Sequence, residues 1–144
     1  MEEPMSTCKS LREVEDHLPN GLHDAWVDAI TLDFAANTAR IGLQVWMGNL
    51  YAPMGEEREA RRKATLWLRD LVYFVVEAPG PDGEWFEGED GLTIDAGDAS
   101  DDSNPAAPRP LRPLRGGAFA YWFYVREWNS FIHVAARSAV LEWA

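Results

Sequence analysis

Cysteine and histidine are scarce in this chain, which has one cysteine and three histidines among 144 residues. The single cysteine, Cys8, cannot form an internal disulfide or a cysteine-based zinc site. The histidines lack the short spacing of a histidine metal site on one helix. We therefore expect no bound metal.

Long apolar runs are missing as well. The longest, residues 118–125, has eight members, whereas a membrane-spanning helix needs about 20. The acidic N-terminus, MEEPMSTCKS, contains no apolar core of the kind found in secretory signals. The sequence therefore predicts a cytoplasmic protein with no membrane contact.

Basic residues are absent from residues 70–108, which contain eleven of the 24 carboxylates. The rest of the chain has 13 acidic and 13 basic residues, so this segment carries the whole formal net charge of −11. A negative surface repels nucleic acid and anionic lipid and attracts basic proteins. One hypothesis is that residues 82–102 face a basic protein partner, with contacts from Glu87, Glu89, Asp98 and Asp101. The alternative is a solvated loop that only maintains solubility.

Motifs for nucleophilic catalysis and phosphate binding are also missing. The chain has no Gly-x-Ser-x-Gly sequence and no glycine-rich phosphate loop, so we expect no cofactor. His23 and Asp24 are an adjacent pair of a histidine and an acid, and acid–base chemistry would need a third group, for which His133 and Asp28 are the candidates. The structural interpretation is that Asp24 accepts hydrogen bonds in a turn and that His133 is a hydrogen-bonded strand residue. We favour the structural interpretation, so a non-enzymatic protein is the preferred hypothesis and an enzyme is the alternative.

Alternation of apolar and polar residues is the clearest structural signal. It runs from residue 26 to residue 34 and resumes from residue 40 to residue 45 after a short turn that contains asparagine. Two such runs joined by a short turn are typical of a β-hairpin. We expect Ile30, Leu32, Ile41 and Leu43 to share its buried face.

The remaining chain predicts short strands separated by loops. Residues 1–20 are a lead-in with one short helix, and residues 97–117 are a loop rich in proline and aspartate that we expect to be mobile around residues 99–108. Further strands are predicted at residues 66–76 (one long strand with a bulge, or two), 85–86, 92–96, 119–125, 131–135 and 140–143. Residues 1–144 therefore form a single, mainly β domain. We expect an antiparallel sandwich or partly open barrel of about seven strands with one or two short helices, an α+β fold being the alternative.

Large rings are concentrated near the C-terminus, where seven aromatic residues fall within residues 119–131. They are typical of a thick sheet core, or of a face used for self-association or ligand binding. For a homodimer, Trp122 and Trp128 are the candidate contacts. Stacking on nucleic-acid bases is disfavoured because no basic groove accompanies the rings.

Two segments resemble known proteins. Leu22-His23-Asp24-Ala25 with the alternating strand after it, and Trp-Asn-x-Phe-Ile-His-Val at residues 128–134, resemble a group of uncharacterised small bacterial proteins with a Leu-His-Asp-Ala signature. Residues 22–76 also resemble, in architecture, the immunity-protein-50 group of bacterial toxin–antitoxin-like systems. The resemblance implies a β-rich fold and a binding role.

Together these features predict a non-catalytic protein-binding module, immunity-like or regulatory, with an acidic face for a basic partner. The alternative is a small enzyme or ligand-binding protein with a pocket around His23, Asp24 and His133.

Overall fold

The computed structural model describes residues 10–49, 51–52, 55–81 and 91–144. This part of the chain contains six β-strands and two short helices, joined by turns and loops. In chain order the elements are α1 (Leu11–Asp16), β1 (Ala25–Asp33), β2 (Thr38–Trp46), α2 (Glu56–Glu59), β3 (Arg61–Val76), β4 (Leu92–Asp98), β5 (Phe119–Val125) and β6 (Ser130–Trp143). The strands form a closed antiparallel barrel in the order β1-β2-β3-β6-β5-β4, with β1 paired to β4. The predicted mainly β, antiparallel fold is confirmed, and the barrel is closed. Within the described residues, no helix is both long and apolar enough to cross a bilayer.

The predicted hairpin is present, because β1 and β2 pair as antiparallel neighbours with Ile30 opposite Ile41. Ile41 and Leu43 are buried and Ile30 is half-buried against the core. Leu32 contradicts the prediction, since 37% of it is exposed. The reason is that β1 pairs with β4 only through its first residues, 25–27, so its distal half extends past the closed part of the barrel.

The longest strands, β3 and β6, pair along most of their length. The predicted break at residues 137–138 is wrong, because both residues lie within the single strand β6 and Ser138 pairs with Arg69. The irregularity lies on β3 instead, where Asp70 has a φ of 54° and the register shifts between Leu71 and Tyr73, and β3 is one strand, so the long-strand alternative for residues 66–76 is confirmed. This continuity reduces the expected number of strands by one. The predicted strand at residues 85–86 lies outside the described residues.

Helix α1 is anchored to the barrel by apolar and polar contacts. Ser10 caps it by accepting a hydrogen bond from the Glu13 amide at 3.2 Å, and Leu11 and Val14 are buried in the core. From the same helix, the Glu15 carboxylate accepts a hydrogen bond from the Tyr121 hydroxyl on β5. Burial and this carboxylate raise the pKa of Tyr121 above its ordinary value. The predicted N-terminal helix thus packs on the barrel.

A second, smaller apolar cluster lies on the outside of the sheet. Its buried members are Ala99, Ala120 and Ala135, with Leu114 and Trp122 among the residues packed against them. Ala99 follows β4 directly, and its amide donates to the Ala120 carbonyl at 2.9 Å. The loop between β4 and β5 therefore has an apolar anchor that the expectation of a mobile loop did not include.

Candidate functional site

Four ionisable side chains, which we call the charged cluster, meet on the surface: His23, Asp24, Asp95 and Arg126. Arg126 Nη1 lies 2.5 Å from Asp24 Oδ1, while its Nη2 and Nε lie 3.1 Å and 3.2 Å from Asp95 Oδ2. His23 joins the same two carboxylates, with Nε2 3.3 Å from Asp24 Oδ2 and Nδ1 hydrogen-bonded to Asp95. When His23 is neutral, the cluster has one more negative than positive charge.

The barrel topology assembles the charged cluster. Asp95 lies on β4 between β1 and β5, so it meets His23 and Asp24 just before β1 and Arg126 just after β5. Asp24 has a φ of 59°, a left-handed conformation that aspartate tolerates better than most residues. Its carbonyl accepts a hydrogen bond from Arg61 Nη1 at 2.6 Å. The turn that presents His23 and Asp24 is therefore held in place.

Arg126 is fixed to β4 through its backbone as well as its side chain. Its amide donates to the Thr93 carbonyl at 3.0 Å, and the Thr93 amide donates to Glu127 Oε1 at 2.8 Å. Partial burial acts against the charged form of Arg126, but the hydrogen bonds and charges of Asp95 and Asp24 raise its pKa above the ordinary value. The guanidinium therefore stays positive and holds both carboxylates.

A pocket of about 220 Å³, which we call the aromatic pocket, borders the charged cluster at Asp95. The rings of Trp122, Tyr124 and Phe131 line it, and residues from the loop after β4 complete it: Asn104, Ala106, Ala107 and Pro108. Phe131 contacts both other rings, with centroids 5.8 Å from Trp122 and 5.2 Å from Tyr124. The described lining of this small site thus combines three aromatic rings with one carboxylate, that of Asp95.

Trp122 is held by packing and not by a hydrogen bond. Its ring lies on Gly97 of the neighbouring strand, where an added Cβ would be 2.1 Å from a ring carbon. Its indole N–H is buried and has no hydrogen-bond partner within the described residues. Glycine at position 97 is therefore required for the ring position that shapes the pocket.

His133 belongs to a different arrangement. Its Nε2 lies 2.6 Å from Glu77 Oε2, and the other Glu77 oxygen accepts a hydrogen bond from the Phe131 amide at 2.9 Å. Among the described residues, His133 has no side-chain hydrogen bond with His23 or Asp24. The structure thus brings His23 and Asp24 together, and it places His133, which is 8% exposed, in a pair that joins β6 to the residue after β3.

The contact between His133 and Glu77 predicts that the stability of the fold depends on pH. Desolvation of Glu77 acts to raise its pKa, but the hydrogen bonds from His133 and Phe131 outweigh it and lower the pKa below the usual 4.5. The stability that Glu77 contributes is therefore complete above pH 4.5 and is lost as the pH falls through the folded-state pKa. Glu77→Gln should lower the free energy of unfolding by less than about 1 kcal/mol near neutral pH, because solvent screens this half-exposed carboxylate. Urea unfolding of the unaltered protein and of Glu77→Gln measures the difference in their free energies of unfolding. This difference should shrink in acid. A difference that does not change with pH would contradict the stabilising role of the Glu77 carboxylate.

The acidic residues predicted to bind a partner lie partly within and partly outside the described residues. Asp98 and Asp101 accept hydrogen bonds from the amides of Ser100 and Ser103 at 2.8 Å and 2.9 Å, and the bonds to Ser103 lower the pKa of Asp101. Glu87 and Glu89 lie outside the described residues. The two tryptophans proposed as homodimer contacts also differ.

Trp122 lines the aromatic pocket, whereas Trp128 is only 3% exposed and packs in the barrel core. A homodimer remains a prediction, and its contacts would have to come from surface other than Trp128.

Sequence reasoning missed Asp95 and Arg126 as members of the site. Asp95 is 72 residues from His23 in the chain, and its sequence context marks it only as one acid among many in an acidic segment. The available signal was its position on the outward face of a predicted strand between Ile94 and Ala96. Within the described ranges, no group of three or more His, Cys, Asp or Glu side chains is arranged to hold a metal ion.

The fold and site define a closed, six-stranded antiparallel barrel, counted over the described residues, with an aromatic pocket next to a charged cluster. The chain matches no family model, no curated protein and no solved structure. The resemblance of residues 22–25 to small bacterial proteins therefore stays a prediction, and the function has to follow from the chemistry of the pocket.

Proposed function

We propose that this protein is a non-catalytic binding module that holds a basic side chain of a partner protein, preferably arginine, in the aromatic pocket. The observation that carries the proposal is the combination of three rings, Trp122, Tyr124 and Phe131, with the Asp95 carboxylate around a cavity of about 220 Å³. A module of this kind fits the binding role that the resemblance implies and the immunity-like or regulatory module predicted from the sequence.

The size of the pocket favours a side chain over a cofactor. Sites for drug-sized molecules usually enclose about 300–1,000 Å³, and the aromatic pocket, at about 220 Å³, is smaller. A single long side chain fits such a volume, and its backbone would lie outside the pocket. This geometry supports recognition of a peptide or protein partner.

The chemistry of the lining favours a cation. Aromatic faces attract guanidinium and ammonium groups by about 0.5–2 kcal/mol, and guanidinium also stacks on rings. Asp95 adds a negative charge at the edge of the pocket. Asp95 already accepts hydrogen bonds from His23 and Arg126, but a carboxylate has about four acceptor positions, so it can attract a further donor.

The acidic segment would act at longer range. With a formal net charge of −11, the protein attracts a basic partner before contact, and such attraction raises the association rate more than the final affinity. In this proposal, Glu87, Glu89, Asp98 and Asp101 steer the partner and the aromatic pocket holds it.

An arginine-containing peptide tests the pocket. We expect an acetylated and amidated pentapeptide, Lys-Gly-Arg-Gly-Lys, to bind saturably by calorimetry at low ionic strength. A matched peptide with citrulline in place of arginine keeps the shape but loses the charge, and it should bind at least about tenfold more weakly. Equal affinity for the two peptides would overturn the proposal, since the flanking lysines alone would then explain binding.

A neutralised variant tests the steering role. Glu87→Gln, Glu89→Gln, Asp98→Asn and Asp101→Asn together should slow association with the arginine peptide and leave the fold intact, because asparagine can still accept the amide hydrogen bonds at positions 98 and 101. Stopped-flow rates at about 0.01 M and 0.15 M salt, where the Debye length falls from about 30 Å to about 8 Å, measure this effect. An unchanged association rate at low salt would show that these carboxylates serve only solubility.

A further inference from the structure

A second cavity, of about 510 Å³, lies apart from the aromatic pocket and shares no lining residue with it. We call it the arginine groove. It runs between the irregular part of β3 and the segment before β5, and its lining residues are Asn37, Asp70, Leu71, Val72, Arg112, Pro113, Arg115 and Arg137. Three arginines thus line one groove of a protein that has only 13 basic residues.

These arginines are not neutralised by the described part of the chain. None of the three lies within 4 Å of a carboxylate oxygen of the described residues, where the ion pairs of arginine involve Arg12, Arg109 and Arg126. Among the described residues, the hydrogen bond of Arg112 is to a carbonyl, that of Val72, at 3.2 Å. Asp70 is the one carboxylate that lines the groove. The groove therefore concentrates positive charge in a protein that is otherwise strongly negative.

Hydrogen bonds and close packing against the backbone hold the walls of the groove in place. On one side, the Asn37 side-chain amide donates to the Leu71 carbonyl at 3.2 Å, and the Leu71 backbone amide donates to the Asn37 backbone carbonyl at 3.3 Å. On the other side, Gly116 has a φ of 64°, and an added Cβ there would be 2.9 Å from Arg137 Nε. The chain after Arg115 therefore lies directly against the Arg137 guanidinium.

We propose that the arginine groove binds a small organic phosphate that also carries hydroxyl groups, such as a sugar phosphate. Guanidinium groups bind phosphate oxygens through paired, charge-assisted hydrogen bonds, and three of them match a dianion. Asp70 accepts hydrogen bonds from hydroxyl groups and repels a second anionic group, so it favours a polyol phosphate over a dicarboxylate. The volume lies within the range of small-molecule sites, about 300–1,000 Å³.

Calorimetry with the full chain tests this inference, with glucose 6-phosphate as the probe and glucose, inorganic phosphate and succinate as comparisons. We expect saturable binding of glucose 6-phosphate, weaker binding of inorganic phosphate, and none of glucose. Arg137→Gln and Arg115→Gln should each weaken binding about tenfold. Arg109→Gln removes the same charge outside the groove, where Arg109 pairs with Asp102, and should leave the affinity nearly unchanged.

Three outcomes would overturn the inference. The first is the absence of saturable binding of glucose 6-phosphate up to about 10 mM. The second is an equal loss of affinity in Arg109→Gln and the groove variants, which would indicate unspecific charge effects. The third is succinate binding as tightly as glucose 6-phosphate, which would rule out a preference for phosphate esters. If a groove variant fails to fold, amide chemical shifts of the unaltered protein decide: changes must centre on residues 112–116 and 137.

Discussion

Leu43→Ala is expected to lower the free energy of unfolding by about 2–5 kcal/mol, whereas Leu32→Ala, in the same hairpin, should cost less than about 1 kcal/mol. Both substitutions remove the same atoms from a β-strand. Leu43 is 1% exposed inside the barrel, and Leu32 is 37% exposed near the hairpin end. Only the first substitution therefore creates a cavity between packed side chains.

Urea unfolding followed by circular dichroism measures both changes. Because small domains are stable by only about 5–15 kcal/mol, the Leu43 variant should have a clearly lower midpoint with a similar slope. Equal losses in the two variants would contradict the position of the hairpin relative to the barrel. A larger loss for Leu32→Ala would contradict the closure of the barrel through residues 25–27 of β1.

Trp122→Ala is expected to weaken binding of the arginine peptide at least about tenfold, which corresponds to the loss of about 1.4 kcal/mol or more. The ring lines the pocket and lies against Gly97, so alanine removes a face on which the guanidinium stacks. Trp122→Phe is the matched control. The indole N–H has no partner among the described residues, so phenylalanine loses no hydrogen bond within that part of the chain and should retain most of the affinity.

Asp95→Asn separates the charge of the pocket from its rings. It should also weaken binding of the arginine peptide, because it removes the carboxylate at the edge of the pocket. Asp102→Asn makes the same change at an exposed position paired with Arg109, outside the pocket, and should have little effect. Calorimetry on all four variants measures these differences. Full affinity in Trp122→Ala, or equal losses in Asp95→Asn and Asp102→Asn, would contradict the pocket as the binding site.

The alternation of residues along the chain predicted most of the barrel. The hairpin of β1 and β2 could be predicted because apolar and polar residues alternate along it, and β5 was predicted with its observed bounds, Phe119–Val125, as a continuous apolar run. The break expected at residues 137–138 was wrong, since both residues lie within β6, where Arg137 is exposed and Ser138 pairs with Arg69 of β3. The pairing of Ser138 with a residue more than 60 positions earlier in the chain is a long-range property that local patterns do not encode.

The site could be predicted only where its residues are neighbours in sequence. His23 and Asp24 were identified as a pair, and the structure shows them in contact at 3.3 Å. Asp95 and Arg126 join them only because the barrel brings β4 beside β1 and β5. His133 was grouped with them on residue type alone, but the residue that it hydrogen-bonds is Glu77.

The most direct test of the proposed function is an NMR measurement of contacts between the protein and a pentapeptide, Lys-Gly-Arg-Gly-Lys, whose arginine carries ¹³C. The account predicts intermolecular nuclear Overhauser effects from the arginine methylene protons to the ring protons of Trp122, Tyr124 and Phe131. It also predicts that these effects are weaker in Asp95→Asn at the same subsaturating peptide concentration. Effects confined to other surfaces, or chemical shift changes restricted to residues 98–102 with no contact to the three rings, would contradict the account.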